Sequence, residues 1–390
     1  MRSGWSELTR RPASQVPALD ALRAFAILLV VAAHYAGSQW PLAKGTDIAL
    51  AHNPVFLFGW TGVDLFFVLS GLLIGKQLWR ELDKTGTIRV PRFLLRRGFR
   101  IWPLFFAMMI WLVFIHGMRF EWPDWVFLSN YFPTRYGRSW SLSTEEQFYI
   151  AVPFLLLFTT RFLPRRLQAW PIVAAIIAVP IVRWFEWRRL LAAGLSVEAL
   201  SERMVFPIHV HCEALLVGLL LALLHSRHRE IFNAPGRWNT SPRGWMIFFA
   251  CTVVGLGLDK MNKDVFAFFA LAIIYGSATF LALADRSIFT RWLNSGFFYP
   301  FSRLAYGMYL NHFWFLHGST RWTIRTFSGV VHSPNLVFLI GLVVGTAISA
   351  GVAVLTFVTI EHPFLMLREH VLGRSPEGAT APAKPVPVLA

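Results

Sequence analysis

Long apolar segments recur along the whole chain, and they limit its fold more than any other feature of the sequence. Ten of them approach the roughly 20 residues that cross a bilayer as a helix. Because lipid offers the backbone no hydrogen-bond partner, such segments should be helical. We therefore expect an all-α polytopic membrane bundle with about ten transmembrane helices. The predicted spans are Leu19–Gly37, Val55–Leu78, Ile101–Gly117, Thr144–Phe162, Trp170–Trp187, Pro207–His225, Gly244–Leu258, Val265–Ala284, Phe298–Leu316 and Leu336–Ile360.

The composition also favours a membrane protein over a soluble one. Charged residues make up 15% of the 390 residues and hydrophobic residues 55%, whereas a soluble domain carries roughly 25% charged residues. The net charge of +16 could indicate a nucleic-acid partner, but no aromatic and basic motif for nucleic acid occurs. We expect this charge to lie beside the membrane, where it orients helices and meets anionic lipid. Cys212 and Cys251 lie in apolar segments, which argues against a disulfide framework and a cysteine-based metal site.

The distribution of Lys and Arg predicts the orientation of the bundle. With the N-terminus inside, roughly twice as many basic residues fall on the inner segments as on the outer ones, so both termini should be cytoplasmic. The loop over residues 183–206 opposes this orientation, because it carries four basic residues. The first apolar segment contains Arg23 and His34, and we interpret it as a retained helix rather than a cleaved signal peptide.

Three regions are expected along the chain. Residues 1–18 form a cytoplasmic N-terminal segment, residues 19–365 the transmembrane domain, and residues 366–390 a cytoplasmic tail. The tail is rich in Pro and Ala from Ser375 onward and is expected to be disordered. The second span is expected to be broken or re-entrant, because four glycines interrupt it: Gly59, Gly62, Gly71 and Gly75.

The first span contains Arg23 and His34, both of which are ionisable. Such groups are costly within a membrane span and are usually functional. The two residues are 11 positions apart, which places them on one helix face with a rise of about 16 Å between them. Arg23 is then expected near the cytoplasmic mouth and His34 toward the opposite side. The structural alternative is that Arg23 snorkels to the interface and His34 caps the other end of the helix.

A basic cluster of Arg96, Arg97 and Arg100 precedes the third span. Arg97 and Arg100 are three positions apart and are therefore neighbours on a helix. Paired guanidinium groups suit phosphate, because each offers a planar fork of hydrogen-bond donors. The alternative is a positive-inside signal that binds no ligand.

A polar cluster opens the fourth span. Ser143 and Glu146 have the spacing of a capping box, which gives Glu146 a structural role. Glu145 points to another side of the helix, onto the face that it shares with Tyr149. At the depth expected for His34, Glu145 is a candidate partner for the imidazole. A solvated carboxylate at the interface is the alternative.

Six motifs follow one another along the chain: Leu19-Asp20-Ala21-Leu22-Arg23 followed by His34, Gly62–Gly71 with Asp64, Arg97-x-x-Arg100-Ile101-x-Pro103, Trp140-Ser141-Leu142-x-x-Glu145-x-x-Phe148-Tyr149, Ser302–His312, and Glu361-His362-Pro363-Phe364. Their order and spacing resemble the acyltransferase 3 family, whose members modify O-antigen, peptidoglycan, nodulation factors and macrolides. Each motif is weak by itself, but their succession is specific. The resemblance extends from about Leu19 to Phe364.

This resemblance implies a membrane O-acyltransferase of the bacterial inner membrane. The expected reaction moves an acyl group, most simply acetyl, from acyl-CoA to a hydroxyl of a carbohydrate or glycoside, without a metal. His34 would be the general base and Glu145 would orient it. The other implied catalytic residues are Arg23, at the donor entrance, and Tyr149, beside the acceptor or an oxyanion. The implied CoA-binding residues are Arg97, Arg100 and Arg96, and the implied substrate-binding residues are Trp140, Ser141, Asp64 and His312.

Several alternatives stay open at this point. The sequence does not distinguish direct transfer from a transient acyl-histidine, and it does not name the acyl chain or the acceptor. No fused SGNH-type esterase domain is expected, because the tail is short. His209 and His211 are not expected to bind metal, since positions i and i+2 project to different sides of a helix. A transporter or flippase of glycan or acyl precursors is the main competing interpretation, because charged residues near the midplane also fit transport.

Overall fold

The computed structural model describes residues 4–9, 11, 16–39, 49–134, 139–233, 242–284 and 292–373. In this part of the chain every regular element is a helix and no strand occurs, which confirms the all-α class. The α-helices are α1 (Gly4–Thr9), α2 (Pro17–Gln39), α3 (Pro54–Leu57), α4 (Gly62–Thr85), α5 (Val90–Ile110), α6 (Trp122–Trp125), α7 (Trp140–Phe162), α8 (Trp170–Ala192), α9 (Val197–Val205), α10 (Glu213–Arg227), α11 (Arg229–Asn233), α12 (Pro242–Met261), α13 (Lys263–Ala284), α14 (Phe298–Phe327), α15 (Pro334–Thr356) and α16 (His362–Leu372).

Six helical segments among the described residues are long and apolar enough to cross a membrane, and they coincide with six of the predicted spans. These segments are Pro17–Gly37, Gly59–Thr85, Val90–Ile115, Arg165–Ala192, Asp264–Ala284 and Pro334–Leu372. The four remaining predicted spans fall on α7, α10, α12 and α14, which carry more polar residues or a shorter apolar stretch. The protein is therefore a multi-pass membrane bundle.

The second span is interrupted at its beginning and not along its length. The short helix α3 and a 3₁₀ turn at Gly59–Thr61 precede it, and α4 then continues unbroken from Gly62 to Thr85. Gly71 lies within this unbroken helix because α10 packs very closely there. A Cβ atom added to Gly71 would overlap the backbone carbonyl of Leu215, and one added to Gly218 would overlap that of Val68. Small residues allow such close helix packing in membranes.

The helix order creates two chemically different ends of the bundle. The beginnings of α2, α5 and α14 lie at one end with four arginines, and we call this the basic end: Arg23, Arg97, Arg100 and Arg303. The beginnings of α4, α7 and α10 lie at the opposite end, which we call the far end. Helix α2 packs against both α4 and α14, so it runs through the middle of the bundle.

Both terminal regions are attached to the basic end. Arg303 donates a hydrogen bond to the Glu7 carboxylate over 3.1 Å, and the Tyr299 hydroxyl donates to the Glu7 carbonyl over 2.9 Å. These contacts hold α1 against α14. At the other terminus, α16 continues to Leu372 within the region predicted as a tail. The segment from Ser375 onward, for which disorder is predicted from its composition, lies outside the described residues.

Arg183 is buried in the core and does not belong to an outer loop. Its side chain is fully buried and lies 2.5 Å from the equally buried carboxylate of Glu213. It also donates to the carbonyl oxygens of Val210 and Val265, the latter over 2.6 Å. The prediction that Arg183 is one of the outer basic residues is therefore wrong. The loop over residues 183–206 therefore opposes the predicted orientation less than its composition indicated.

Candidate active site

Two histidines from different helices meet inside the bundle. Nδ1 of His34 on α2 lies 3.1 Å from Nε2 of His312 on α14, with the ring centroids 5.0 Å apart. Nδ1 of His312 lies 2.7 Å from the Tyr309 carbonyl oxygen and 3.0 Å from that of Met308. Both carbonyls belong to the preceding turn of α14, so the helix backbone itself orients the His312 ring.

These contacts determine the proton positions in a neutral pair. A carbonyl oxygen only accepts hydrogen bonds, so Nδ1 of His312 must carry a hydrogen and Nε2 must accept. The hydrogen between the two rings then belongs to Nδ1 of His34, which places the lone pair of His34 on Nε2. A neutral imidazole nitrogen of this kind can act as a general base near neutral pH.

Helix α7 reaches this histidine pair through two hydroxyl groups. The Ser141 hydroxyl is hydrogen-bonded to the hydroxyl of Tyr309. The Tyr309 ring lies 5.9 Å from the His312 ring and 6.5 Å from Phe66 of α4. The beginning of α7 is thereby connected to the residue that orients His34.

A second polar cluster lies one turn further along α7. The Tyr149 hydroxyl donates to Oε2 of Glu145 over 2.8 Å and lies 2.7 Å from the Ser70 hydroxyl of α4. Arg97 and Arg23 are close enough to act on the Glu145 carboxylate electrostatically. Our prediction that Glu145 pairs with His34 is therefore wrong. Glu145 contacts Tyr149, and His34 contacts His312.

The spacing of Ser141 and Glu145 along α7 gives the difference in depth between the histidine pair and the second polar cluster. The residues are four positions apart on α7, so they share a face and are separated by about 6 Å along the helix axis. The histidine pair is at the Ser141 level, and the carboxylate is one turn closer to the basic end. Arg23, on α2, lies still closer to the basic end than the Glu145 carboxylate. This order agrees with the prediction that α2 runs from Arg23 at one side toward His34 at the other.

The arginines of the basic end lie close enough together to influence one another electrostatically. Arg23 is under the electrostatic influence of Arg97, Arg100 and Arg303, with Asp20 as the opposing charge. Arg97 donates to the Gln77 side chain over 2.6 Å, and its guanidinium lies 5.9 Å from the centre of the Tyr149 ring. Such an accumulation of positive charge suits an anionic ligand.

Arg96 has a different environment from Arg97 and Arg100. Its guanidinium donates to the carbonyl oxygens of Leu372, over 3.1 Å, and Gly373, over 2.9 Å. Arg92 donates to the same Leu372 carbonyl over 2.5 Å. The last carbonyls of a helix favour cations, so both arginines stabilise the end of α16. This contact gives Arg96 a structural role that the sequence analysis did not predict.

Asp64 is fully buried, and its carboxylate lies 2.9 Å from Nε2 of His211. Trp140 stacks on His211, with ring centroids 5.5 Å apart, and on Phe206. These packing contacts do not support direct substrate binding by Asp64. The contact of His211 with Asp64 was not predicted from the sequence, where His211 was considered only as a metal ligand. The signal that could have indicated this contact is the position of His211, an ionisable residue beside an apolar span.

The segment before α7 holds the beginning of that helix in place. Asn130 and Gln147 exchange two amide hydrogen bonds of 3.0 and 2.8 Å. The hydroxyl of Ser129 lies 2.7 Å from that of Ser139 and 2.9 Å from that of Ser143. These contacts attach the beginning of α7, which carries Ser141 and Glu145, to the preceding segment.

Comparisons with known proteins agree with the motifs. The model of the acyltransferase 3 family, described as an acyltransferase domain, matches residues 16–354. The chain is 35% identical over 175 residues to "Peptidoglycan O-acetyltransferase OatA" of Listeria monocytogenes, covering 38% of this chain and 26% of that protein. It is 26% identical over 352 residues to "Putative O-acetyltransferase SACOL0978" of Staphylococcus aureus, covering 83% and 48%. It is 30% identical over 248 residues to "Putative peptidoglycan O-acetyltransferase YrhL" of Bacillus subtilis, covering 56% and 34%.

The chain thus spans about half or less of the length of these relatives. No solved structure matches it. The match to the family model nevertheless covers most of the sequence, including α2, α4, α7 and α14, which carry the two polar clusters. The protein therefore belongs to the acyltransferase 3 family.

Proposed function

We propose that this protein transfers an acyl group, most simply acetyl, from acyl-CoA to a hydroxyl of a carbohydrate at the membrane. The observation that carries the proposal is the His34–His312 contact, because it places a basic nitrogen on a helix that also carries Arg23. The names of the relatives support an O-acetyltransferase acting on a glycan. The excess of arginines at the basic end supports an anionic donor such as acyl-CoA.

His34 is the general base in this proposal. Its Nε2 accepts the proton of the acceptor hydroxyl while the oxygen attacks the thioester carbonyl. The new C–O bond forms, the C–S bond breaks, and the proton passes from His34 to the leaving CoA thiolate. His312 accepts the hydrogen bond from Nδ1 of His34 throughout, so it holds the ring in the required orientation. This replaces the acceptor-binding role expected for His312.

The other site residues are proposed to bind either the acyl donor or the acceptor. Arg97 and Arg100 are proposed to bind the phosphates of CoA, with Arg23 beyond them along the route of the pantetheine arm. Glu145 balances the charges of Arg23 and Arg97, and the Tyr149 hydroxyl that it holds is proposed to act on the acceptor or on a developing oxyanion. Ser141 and Trp140 are proposed to contact the acceptor as it approaches from the far end. The positive-inside pattern supports a cytoplasmic position for the basic end.

Acyl transfer by the purified protein tests the proposal directly. The protein, reconstituted in lipid, is incubated with radiolabelled acetyl-CoA and a panel of peptidoglycan fragments and small glycosides. We expect labelled acceptor with the wild type and a loss of about 10²- to 10⁴-fold in His34→Ala, the usual contribution of a general base. His332→Ala, an exposed histidine between α14 and α15, is the matched control and should keep wild-type turnover.

Two outcomes would contradict this proposal. Wild-type turnover in His34→Ala would remove that residue from the mechanism. Movement of an intact glycan across the bilayer, without labelling of any acceptor, would instead support the transporter or flippase interpretation.

A further inference from the structure

Asp64 and His211 form a buried polar pair outside the two clusters described above. Oδ1 of Asp64 on α4 lies 2.9 Å from Nε2 of His211, which immediately precedes the turn into α10. Nδ1 of His211 lies 2.7 Å from the Val205 carbonyl at the end of α9. Both side chains are at least 98% buried. Oδ2 of Asp64 has no hydrogen-bond partner among the described residues.

The hydrogen bonds require one proton between the two residues. Nδ1 of His211 donates to a carbonyl, so the contact between Nε2 and Asp64 needs a second hydrogen, on either the ring or the carboxyl group. In both arrangements the pair as a whole is neutral. A neutral pair avoids the large cost of an isolated charge in an apolar interior, and it keeps the His211 ring at a defined distance from α4.

Aromatic side chains enclose the His211 ring. Phe268 of α13 stacks on it with the centroids 3.6 Å apart, and Phe67 of α4 meets it edge-on at 5.6 Å. Trp140, the first residue of α7, stacks on it at 5.5 Å with an interplanar angle of 27°. The first residue of α7 thus packs on the His211 ring. Asp64 and the Val205 carbonyl fix the orientation of this ring.

The residue after Trp140 leads directly to the histidine pair. The Ser141 hydroxyl bonds to the hydroxyl of Tyr309, and the Tyr309 carbonyl accepts the hydrogen bond that orients His312. Displacement of the Trp140 ring would therefore move Ser141, withdraw the support of Tyr309 and disturb the geometry of His34.

We propose that Asp64 and His211 are positioning residues that hold the beginning of α7, through Trp140, in the register required by the His34–His312 pair. The inference rests on the proposed acyl transfer. Neither residue touches the reacting atoms, so both act through Trp140, Ser141 and Tyr309. A displacement of about 1 Å at a catalytic group can cost about 10²-fold in rate.

His211→Ala tests the proposal by separating turnover from donor binding. The variant should lose about 10²-fold in kcat, while the KM for acetyl-CoA stays within about twofold, because the donor arginines are not contacted. Asp64→Asn should retain most of the turnover, because its amide can donate to Nε2 of a neutral His211. Tyr275→Phe is the matched control. It removes the hydrogen bond to Thr61 beside Asp64 without touching His211, and it should keep the wild-type kcat.

A double-mutant cycle with Tyr309→Phe tests the connection between the two sites. If His211 acts through Ser141 and Tyr309, the loss in the double variant should be clearly smaller than the product of the two single losses. Independent, multiplicative losses would overturn the proposal, and so would an unchanged kcat in His211→Ala. If that variant does not fold, His211→Gln is measured in the same cycle.

Hydrogen exchange gives a readout that does not depend on activity. Backbone amides of residues 141–145 should exchange faster in His211→Ala than in the wild type, and at the wild-type rate in Tyr275→Phe. Unchanged exchange in His211→Ala would overturn the positioning role even if the protein transferred no acyl group. A wild type without transferase activity but with the expected exchange pattern would contradict the proposed function alone.

Discussion

At the scale of single residues, the hydrogen bonds of His312 decide which nitrogen of His34 is basic. The carbonyls of Met308 and Tyr309 hold the hydrogen on Nδ1 of His312. The unprotonated Nε2 of His312 then orients the hydrogen on Nδ1 of His34. A carboxylate in the same position, as predicted for Glu145, would stabilise an imidazolium more strongly. In the proposed reaction, the neutral His312 favours return of the proton from His34 to the leaving group.

Arg97 and Arg100 lead to a prediction at this scale. The double variant Arg97→Gln/Arg100→Gln should bind acyl-CoA about 10- to 100-fold more weakly for each arginine–phosphate hydrogen bond that it removes, because a hydrogen bond to a charged group contributes about 1.5–3 kcal/mol. The salt dependence of binding should fall as well. Equilibrium binding of a non-hydrolysable acyl-CoA analogue at several salt concentrations measures both effects.

The control for this experiment has the same change in net charge. Arg161→Gln/Arg166→Gln removes two exposed arginines at the end of α7 and in the turn that follows it. It should bind the analogue as the wild type does. Equal binding by both double variants would leave Arg97 and Arg100 as topology signals only.

At the scale of helices, the close contact between α4 and α10 fixes the position of α4, which carries residues of the site. Val68 and Gly71 of α4 face Leu215 and Gly218 of α10, and each glycine accommodates a backbone carbonyl of the other helix. Ser70 and Asp64 lie on this same α4, so its distance from α10 and α7 determines whether Tyr149 and His211 find their partners. In this helix the glycines bring backbones together and do not break the span.

Gly71→Ala should therefore destabilise the protein. The added methyl group meets a backbone carbonyl, which cannot yield as a flexible side chain would, and overpacking of this kind costs typically about 1–3 kcal/mol. Gly351→Ala on α15 is the control, because an added Cβ there meets no atom within 4 Å. Thermal unfolding in detergent should show a lower midpoint for Gly71→Ala and no decrease for Gly351→Ala. Equal midpoints would show that α4 and α10 separate easily.

At the scale of the whole molecule, charge distinguishes the basic end from the far end, and we propose that the donor binds at the first and the acceptor at the second. Four arginines gather at the basic end, where α1 and α16 also pack. The beginning of α7 lies at the far end, with the loop over residues 122–134 bonded to it. If the basic end is cytoplasmic, acyl-CoA enters there and the acceptor hydroxyl approaches from the opposite side.

Reconstituted vesicles of known orientation test this arrangement. Acyl-CoA does not cross lipid, so it should support transfer only when supplied on the side of the basic end. In a background without Cys212 and Cys251, an impermeant thiol reagent should label Phe132→Cys from the periplasmic side and Arg161→Cys from the cytoplasmic side. Both positions are exposed in the structure.

The reverse labelling pattern would overturn the orientation and the transmembrane reaction together. Modification of an acceptor supplied on the same side as acyl-CoA would exclude only transfer across the bilayer. The proposed role of His34 would then be unaffected.

The apolar segments and motif order were sufficient to predict the all-α membrane class, the family and the helices that carry the polar residues. This succeeded because span length and the cost of intramembrane charge are local properties that the chain shows directly. The prediction that Arg23 and His34 lie on one face of one helix is of the same kind, since 3.6 residues per turn requires it.

Partner choice, in contrast, was decided by the tertiary structure. His312 is 278 positions from His34, and His211 is 147 positions from Asp64, so no helical period relates either pair. Arg183 looked like a loop charge, yet the packing of α8 against α10 places it opposite Glu213. Hydrogen-bond geometry depends on how helices pack and rotate against one another, and only the folded bundle determines that rotation.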